Sequence, residues 1–423
     1  MFPLSFLLAV LILMVNFPLD VFAKVRCTPA ESRIVTRLLI PKNMLPTFYQ
    51  THLQKQLMQA QFILLTILLN LIQSEKQVRL ERLVRVFPYP ITTESRRRKL
   101  QRFLDLPQLT ISLIWFPLIA YWLTTYCSVG QTLSVAIDRT QWGCINLFTI
   151  ALIWQKRAIP LYWCLLPKLG SSNLQEQTLA LEQVLPLFKE YKVIVLGEGE
   201  FCSVDLGNWL KTVGVSFCLR LKKNHCLETE NLIWQRLDQL GLVPGTSLYF
   251  QGIRVRKTQP VAGFDIACKW QRNYRGRKVK DAWFILTDLG SLPFAISAYK
   301  QRMGIEEMFR DCKTGGDNLE GSGLRGDRLI KMILLMAIAY TSAIFQGIET
   351  QKKQVQKYVS RRSEPIKKYR RRSTFGVGKD GEQWVDYLDR HLLEIQQLMK
   401  LTRNKRRFYQ QGIRAATLIA SIS

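Results

Sequence analysis

Histidine is scarce in this 423-residue chain: only His52, His225 and His391 occur, and none stands in a metal-ligand pattern. That argues against histidine-zinc chemistry and against a catalytic triad built on histidine. The nine cysteines, at 27, 127, 144, 164, 202, 218, 226, 268 and 312, are isolated, odd in number and without a CxxC pair. Neither a zinc site nor a disulfide framework follows from them, and reduced cytoplasmic thiols fit best. Any metal must therefore be held by carboxylates. Acidic residues are also few, 32 against 60 Lys and Arg, leaving a formal net charge of +28. Solubility of a small domain asks only for a net charge of about 2 to 8, so the excess calls for a polyanionic partner, with nucleic acid first. The cations cluster near residues 96, 222, 272, 367 and 405.

A charged n-region is missing from the apolar start "MFPLSFLLAVLILMVNFPLDVFA", so it reads as an untypical N-terminal extension over residues 1–43 rather than a secretory signal. The runs "ISLIWFPLIAYWLTTYCSV" (111–129) and "MILLMAIAYTSAIF" (332–345) read as core helices. The first contains Pro117 and leads into a strand, and the second is too short to span a bilayer. A membrane protein with basic loops is the alternative these runs leave open.

Residues 45–105 read as helices, closed by the Pro88–Tyr89–Pro90 break and a third helix, "ESRRRKLQRFL". Thr92 or Thr93 would cap that helix, which sets Arg96, Arg97, Arg98, Lys99 and Arg102 around an apolar side of Leu100, Phe103 and Leu104. It is either a DNA-binding surface or a basic helix packed on its neighbour with its charges in solvent. From 131 the texture changes to "TLSVAIDRTQW", "INLFTIALIWQ" and "AIPLYWCLLPKL", an antiparallel meander. A helix over "LQEQTLALEQVLPLFKEY" then delivers the chain into the fully apolar strand "KVIVLG", as expected after a crossover. The helix "GNWLKTVGV" and the strand "SFCLRLKK" follow, and 226–290 is short strands and turns. A basic, broken stretch runs from about 349 to a last amphipathic helix at 383–400.

Within "AYKQRMGIEEMFRDCKTGG" (298–316), Tyr299, Arg302, Glu306 and Lys313 stand three, seven and fourteen residues apart. On one continuous helix these offsets fall within an arc of roughly 60°. A carboxylate flanked by two cations and a phenol suits a metal ion and a phosphate; the bland reading is a solvated face with salt bridges between turns. Asp138 in "VAIDRTQW" stands at the end of an apolar strand, and Glu198 in "VLGEGEF" just past the next buried one. If those strands are neighbours, the two carboxylates meet and Glu306 closes the site. Three carboxylates can hold two divalent cations for in-line displacement at phosphorus.

Tyr299, Arg302, Glu306 and Lys313 meet the pattern Y-x2-R-x3-E-x6-K in full. It resembles the signature of DDE transposases of the fourth insertion-sequence family. "AIDRTQW" is similar to that family's first-aspartate motif, and "VLGEGEF" aligns with its second. The resemblance runs over roughly 44–410. It implies an α/β fold: a ribonuclease H-like mixed sheet with flanking helices, a β-rich insertion and an N-terminal helical domain. The chain would divide into a helical DNA-binding domain (44–110), a catalytic core (131–225 and 291–347), the insertion (226–290) and a basic C-terminal region (348–423). Asp138, Glu198 and Glu306 would be the catalytic metal ligands, for Mg²⁺ with Mn²⁺ as substitute. Tyr299, Arg302 and Lys313, with Arg96, Arg97 and Arg98, would bind double-stranded DNA at transposon ends and target. The active complex would be a homodimer, cytoplasmic and nucleoid-associated, without an obligate membrane partner.

The second motif departs from the family pattern: Glu198 stands where Asp is expected, and Gly199 where a basic residue follows. Mg²⁺ demands near-ideal octahedral geometry, so an arm one methylene longer misplaces the metal or its water. The expectation is a copy that binds ends and cuts them poorly. The alternative is a DNA-end-binding protein without catalysis. Glu200, the spare carboxylate, could point the same way as Glu198 along an extended chain.

Overall fold

The computed structural model describes residues 45–155, 157–229, 232–274, 277–313, 316–363 and 372–422. The proposed N-terminal extension and most of the basic run around residue 367 lie outside them. The chain divides between Phe345 and Gln346 into two compact units.

The first unit opens with helices α1 (Thr47–Gln56), α2 (Gln59–Glu75), α3 (Leu80–Val86), α4 (Thr93–Leu104) and α5 (Phe116–Tyr126). Thr92 caps α4 by accepting the Ser95 backbone N–H at 3.3 Å. The turn of π-helix Ile111–Trp115 precedes α5, whose second residue is Pro117; proline lacks an N–H, so it sits where a helix start asks for none. These helices fold into the same unit as the sheet. Tyr49 Oη lies 2.7 Å from Thr341 Oγ1, Gln73 Nε2 donates to Ala339 O at 2.8 Å, and Trp115 Nε1 donates to Pro160 O at 2.9 Å.

Strands β1 (Thr132–Trp142), β2 (Ile145–Trp154) and β3 (Arg157–Leu165) form the antiparallel meander. Helix α6 (Leu174–Val184) starts at Asn173, which exchanges hydrogen bonds with Glu176 in a capping box, and carries the chain across the sheet. β4 (Lys192–Gly197) then runs parallel to β1, and after α7 (Val204–Thr212), β5 (Ser216–Arg220) runs parallel to β4. Both strands are apolar because helices cover the faces of a parallel segment. The following residues supply β6 (Cys226–Glu228), β7 (Trp234–Arg236), β8 (Ser247–Val255), β9 (Val261–Lys269), the small pair β10 (Asn273–Tyr274) and β11 (Arg277–Lys278), and β12 (Trp283–Thr287). β12 pairs antiparallel with β5, so this segment extends the core sheet. The ten-stranded order is β3-β2-β1-β4-β5-β12-β9-β8-β6-β7.

Helices α8 (Leu292–Gln301), α9 (Met303–Cys312) and α10 (Gly326–Lys352) follow. Among the described residues α10 alone is long and apolar enough to cross a membrane, and 89% of its apolar window is buried inside the protein. In the second unit the expected single helix at 383–400 is two, α12 (Thr374–Arg390) and α13 (Leu392–Leu401), after the short α11 (Gln356–Val359) and before α14 (Arg406–Ala420). α12 begins inside "STFGVGKDG", read from sequence as broken. Ser373 caps it, Gly378 and Gly381 are buried, and packing outweighs the poor helix propensity of glycine. Val355, Val385, Leu388, Leu392, Ala415, Ala416 and Ile419 form its core.

Candidate active site

The site begins with strand register. β1 pairs with β4 up to the rung Ile137–Gly197, where β4 ends. Asp138 is the next residue on β1 and Glu198 the next after β4, so the two leave the ladder side by side. Asp138 is therefore not at the end of its strand, as the sequence suggested. β1 continues to Trp142, paired with β2 alone, and it is the end of β4 that opens space beside Asp138. Gly197 is needed at that rung, since a Cβ there would stand 2.8 Å from the Phe201 Cβ and 3.0 Å from Leu219 Cδ2.

Glu306 comes from α9, which packs on β3 and β1. The stretch 298–316 is not one helix. α8 ends and α9 starts at Arg302, whose backbone stays helical (φ −50°, ψ −33°) with a tightened N–H bond to Tyr299 O. The junction keeps Tyr299, Arg302 and Glu306 on a common side, and the Arg302 guanidinium lies 5.7 Å from the Tyr299 ring centroid. Lys313 is separated from them. It follows the last residue of α9 with ψ −140°, and its Nζ is 2.7 Å from Glu320 Oε1 and 5.8 Å from the Trp142 ring centroid. Extrapolating a helical arc over fourteen residues fails at its last member because the helix has ended.

Arg302 stands at the centre. Its Nη2 is 2.6 Å from Glu306 Oε1 and ion-paired with Glu198 Oε2, and its Nη1 is 4.0 Å from Asp138 Oδ2. The side chain is only 6% exposed, and its Nε is buried without a hydrogen-bond partner among the described residues. Burial opposes its charge, yet Tyr299, Glu198 and Glu306 hold its pKa above the ordinary arginine value. The Asp138 carboxyl is pushed up to about 6, chiefly by burial, with Glu306 and Glu198 pushing the same way against the Arg139 N–H and Arg302. Tyr299, buried against Trp283 with ring centroids 5.1 Å apart, has its phenol pKa raised by burial and then by the Glu198 charge.

Sequence reasoning missed Arg220, at the end of β5, whose Nη1 lies 2.5 Å from Glu198 Oε1. The signal was present as an arginine ending the strand next to β4. Glu198 thus spends one oxygen on each of two guanidinium groups. Glu200 faces elsewhere: it accepts from Arg139 Nε at 2.6 Å and from the Ser172 backbone N–H at 2.9 Å, fastening the chain before α6. Gly199 has φ +67°, a left-handed conformation that strains any side chain, so the basic residue of the family pattern has no relaxed place on this backbone.

A cavity of about 760 Å³ opens at Glu198 and Gly199 and runs along Arg220, Lys222, Lys223 and Arg236 over Trp270 and Phe284. On α4 the arginines have partners. Arg96 donates to the carbonyls of Arg85 and Phe87 at the end of α3, Arg97 pairs with Glu81 at 2.6 Å, and Arg98 pairs with Glu94 at 3.2 Å.

Three carboxylates are the donor set of a hard divalent cation, and the repulsion felt by Asp138 is what such an ion would relieve. Their spacing does not fit one as they stand. Among the described residues no three acidic, histidine or cysteine side chains are placed to hold a metal, and a guanidinium lies where these three converge.

Residues 168–341 match the family model described as the transposase DDE domain. The match takes in Glu198, Tyr299, Arg302, Glu306 and Lys313 and leaves Asp138 outside it. No curated protein sequence matches the chain. Among solved structures, one titled "Cryo-EM structure of piggyBac transposase synaptic complex with hairpin DNA" aligns at 10% identity over 90% of this chain and 84% of that one, with a TM-score of 0.43, too low to equate the two folds. Over residues 168–341, then, the chain is similar to the transposase DDE domain.

Proposed function

We propose that the protein is a DNA transposase of an insertion sequence, of the Y-R-E-K type, cutting transposon ends and joining them to target DNA by phosphoryl transfer. The observation that carries this reading is the convergence of Asp138, Glu198 and Glu306 around Arg302, two of them from adjoining strands and one from a later helix. The match to the transposase DDE domain supports it. So does the order β3-β2-β1-β4-β5 with β2 alone reversed, which agrees with the ribonuclease H-like core the resemblance implies.

Asp138, Glu198 and Glu306 would be the residues to hold Mg²⁺ or Mn²⁺ once Arg302 is withdrawn from them, and the ion would supply Lewis-acid activation for phosphoryl transfer. The chain's own residues supply the rest. Arg302 and Tyr299 engage the end phosphate, and Lys313 lies along the flank of β1. Arg220, Lys222 and Lys223 carry the backbone through the basic cavity, and the arginines of α4 add contacts outside it. A homodimer would pair two ends, on DNA of the cytoplasmic nucleoid.

Glu198 favours a copy that binds better than it cuts, because both its oxygens are held by arginines and its arm is longer than the family's aspartate. The test is cleavage of inverted-repeat DNA in Mg²⁺ by the wild-type chain and by Glu198→Asp, made alone because a side chain at Gly199 would add backbone strain of its own. Glu198→Asp is expected to cut faster, by on the order of 10²-fold. Equal rates would make Glu198 a competent ligand and remove the decay reading. No cutting by either form, with both binding DNA, would favour an end-binding protein.

A further inference from the structure

The carboxylate cluster is closed by a side chain of the protein itself. Arg302 gives one nitrogen to both Glu198 and Glu306 and sets the other toward Asp138, within a site where it is almost wholly buried. A divalent cation needs oxygen ligands at about 2.0–2.6 Å, so it would have to take the same oxygens. Guanidinium and divalent cation cannot both occupy that space, since they repel at short range in a partly desolvated site. The cluster is therefore either ion-paired or metal-loaded.

Two features make the guanidinium removable. Its Nε–H is buried and makes no hydrogen bond among the described residues, an unsatisfied donor that a phosphate oxygen would satisfy. The basic cavity opens at Glu198, so a polyanion following Arg220, Lys222 and Lys223 arrives beside this group. Arg220, 27% exposed and paired with the other oxygen of Glu198, is the first to be drawn off.

We propose that Arg302 is a counter-ion lock: it excludes divalent cations from Asp138, Glu198 and Glu306 until a backbone phosphate of bound duplex takes the guanidinium, so that cation and polyanion bind with positive coupling. The choice of duplex as polyanion rests on the DNA reading above; the lock itself rests only on the ion pairs. By reciprocity, Mn²⁺ should tighten duplex binding by the same factor as duplex tightens Mn²⁺ binding.

The test measures free Mn²⁺ by electron paramagnetic resonance with the full chain, alone and with a short random duplex. Asp138→Asn plus duplex is the blank for Mn²⁺ carried by DNA, and duplex binding is followed by fluorescence anisotropy. Wild type is expected to hold Mn²⁺ on the order of tenfold more tightly with duplex than without. Arg302→Gln without duplex should match the loaded wild type, and Mn²⁺ should raise its melting temperature but not that of wild type. Mn²⁺ binding by wild type alone as tight as by Arg302→Gln overturns the lock, as does duplex that binds without tightening Mn²⁺. If the duplex does not bind, the DNA reading fails separately, and the Arg302→Gln comparison alone decides the lock. If Arg302→Gln does not melt cooperatively, the wild-type pair with and without duplex decides it.

Discussion

Among the arginine–carboxylate pairs of the first unit, those around Arg302 and those along α4 give the same chemistry different weight. On α4, Arg97 and Arg98 are 39% and 67% exposed, and their partners Glu81 and Glu94 are 44% and 56% exposed. Such pairs contribute about 0–1 kcal/mol and give way to any better anion. Arg302 is 6% exposed and faces three carboxylates. There the charges depend on one another, because removing one partner leaves the rest buried and uncompensated. Burial, not the pairing itself, separates a surface that can exchange a carboxylate for a phosphate at little cost from a cluster that must be opened.

The largest expected effect bears on the buried cluster. In the Glu198→Asp background, Glu306→Gln should lower end cutting by on the order of 10²–10³-fold or more while leaving duplex binding about unchanged. Cutting that survives would remove Glu306 from the chemistry and leave its bond to Arg302 as its only role.

A smaller effect tests the charge balance. The Asp138 pKa is raised to about 6 in the folded protein from 3.8, so ionising it costs stability that accumulates as pH climbs from the ordinary carboxylate value through the folded one. With divalent cations chelated, Asp138→Asn should therefore stabilise the protein above pH 6, by on the order of 1–3 kcal/mol, and change little near pH 4, where the native carboxyl is already neutral. Urea melts at the two pH values measure it. A destabilised variant above pH 6 would mean that pairing with Arg302 outweighs burial.

The smallest effects sharpen the other half of the comparison. Arg97→Ala should lower stability by less than about 1 kcal/mol and, because its exposed pair with Glu81 gives way to a phosphate, lessen the log-log salt slope of duplex binding by about 0.9. Arg98→Ala should lessen the log-log salt slope by about 0.9, one phosphate contact. Equal slopes for both variants and wild type would take α4 out of the DNA surface.

Much of the sheet was legible because its signals are local. Apolar runs such as "KVIVLG" and "INLFTIALIW" are strands buried on both faces, and Thr92 marks a helix start by its own side chain. The grouping of Tyr299, Arg302 and Glu306 was legible from spacing within two turns. Lys313 was not, since no periodicity announces where α9 stops. Arg220 was not either: its importance comes from β5 lying beside β4, a neighbour relation that spacing along the chain does not state. The helix through the glycines of α12 was hidden for a similar reason, propensity being a weak prior against packing.

By itself the sequence determined the surplus of cations, the absence of histidine and cysteine metal motifs, and which carboxylates follow the apolar runs of the sheet. These follow from residue identity and short-range patterning. Only the tertiary structure decided that Asp138 and Glu198 leave one ladder together, that Glu200 faces away from them, and that a guanidinium occupies the centre of the cluster. Each depends on strand register, the left-handed turn at Gly199 and the packing of α9 on the sheet. A charge acquires its meaning from what is buried with it, and residues 138, 198 and 302 meet only when the sheet forms.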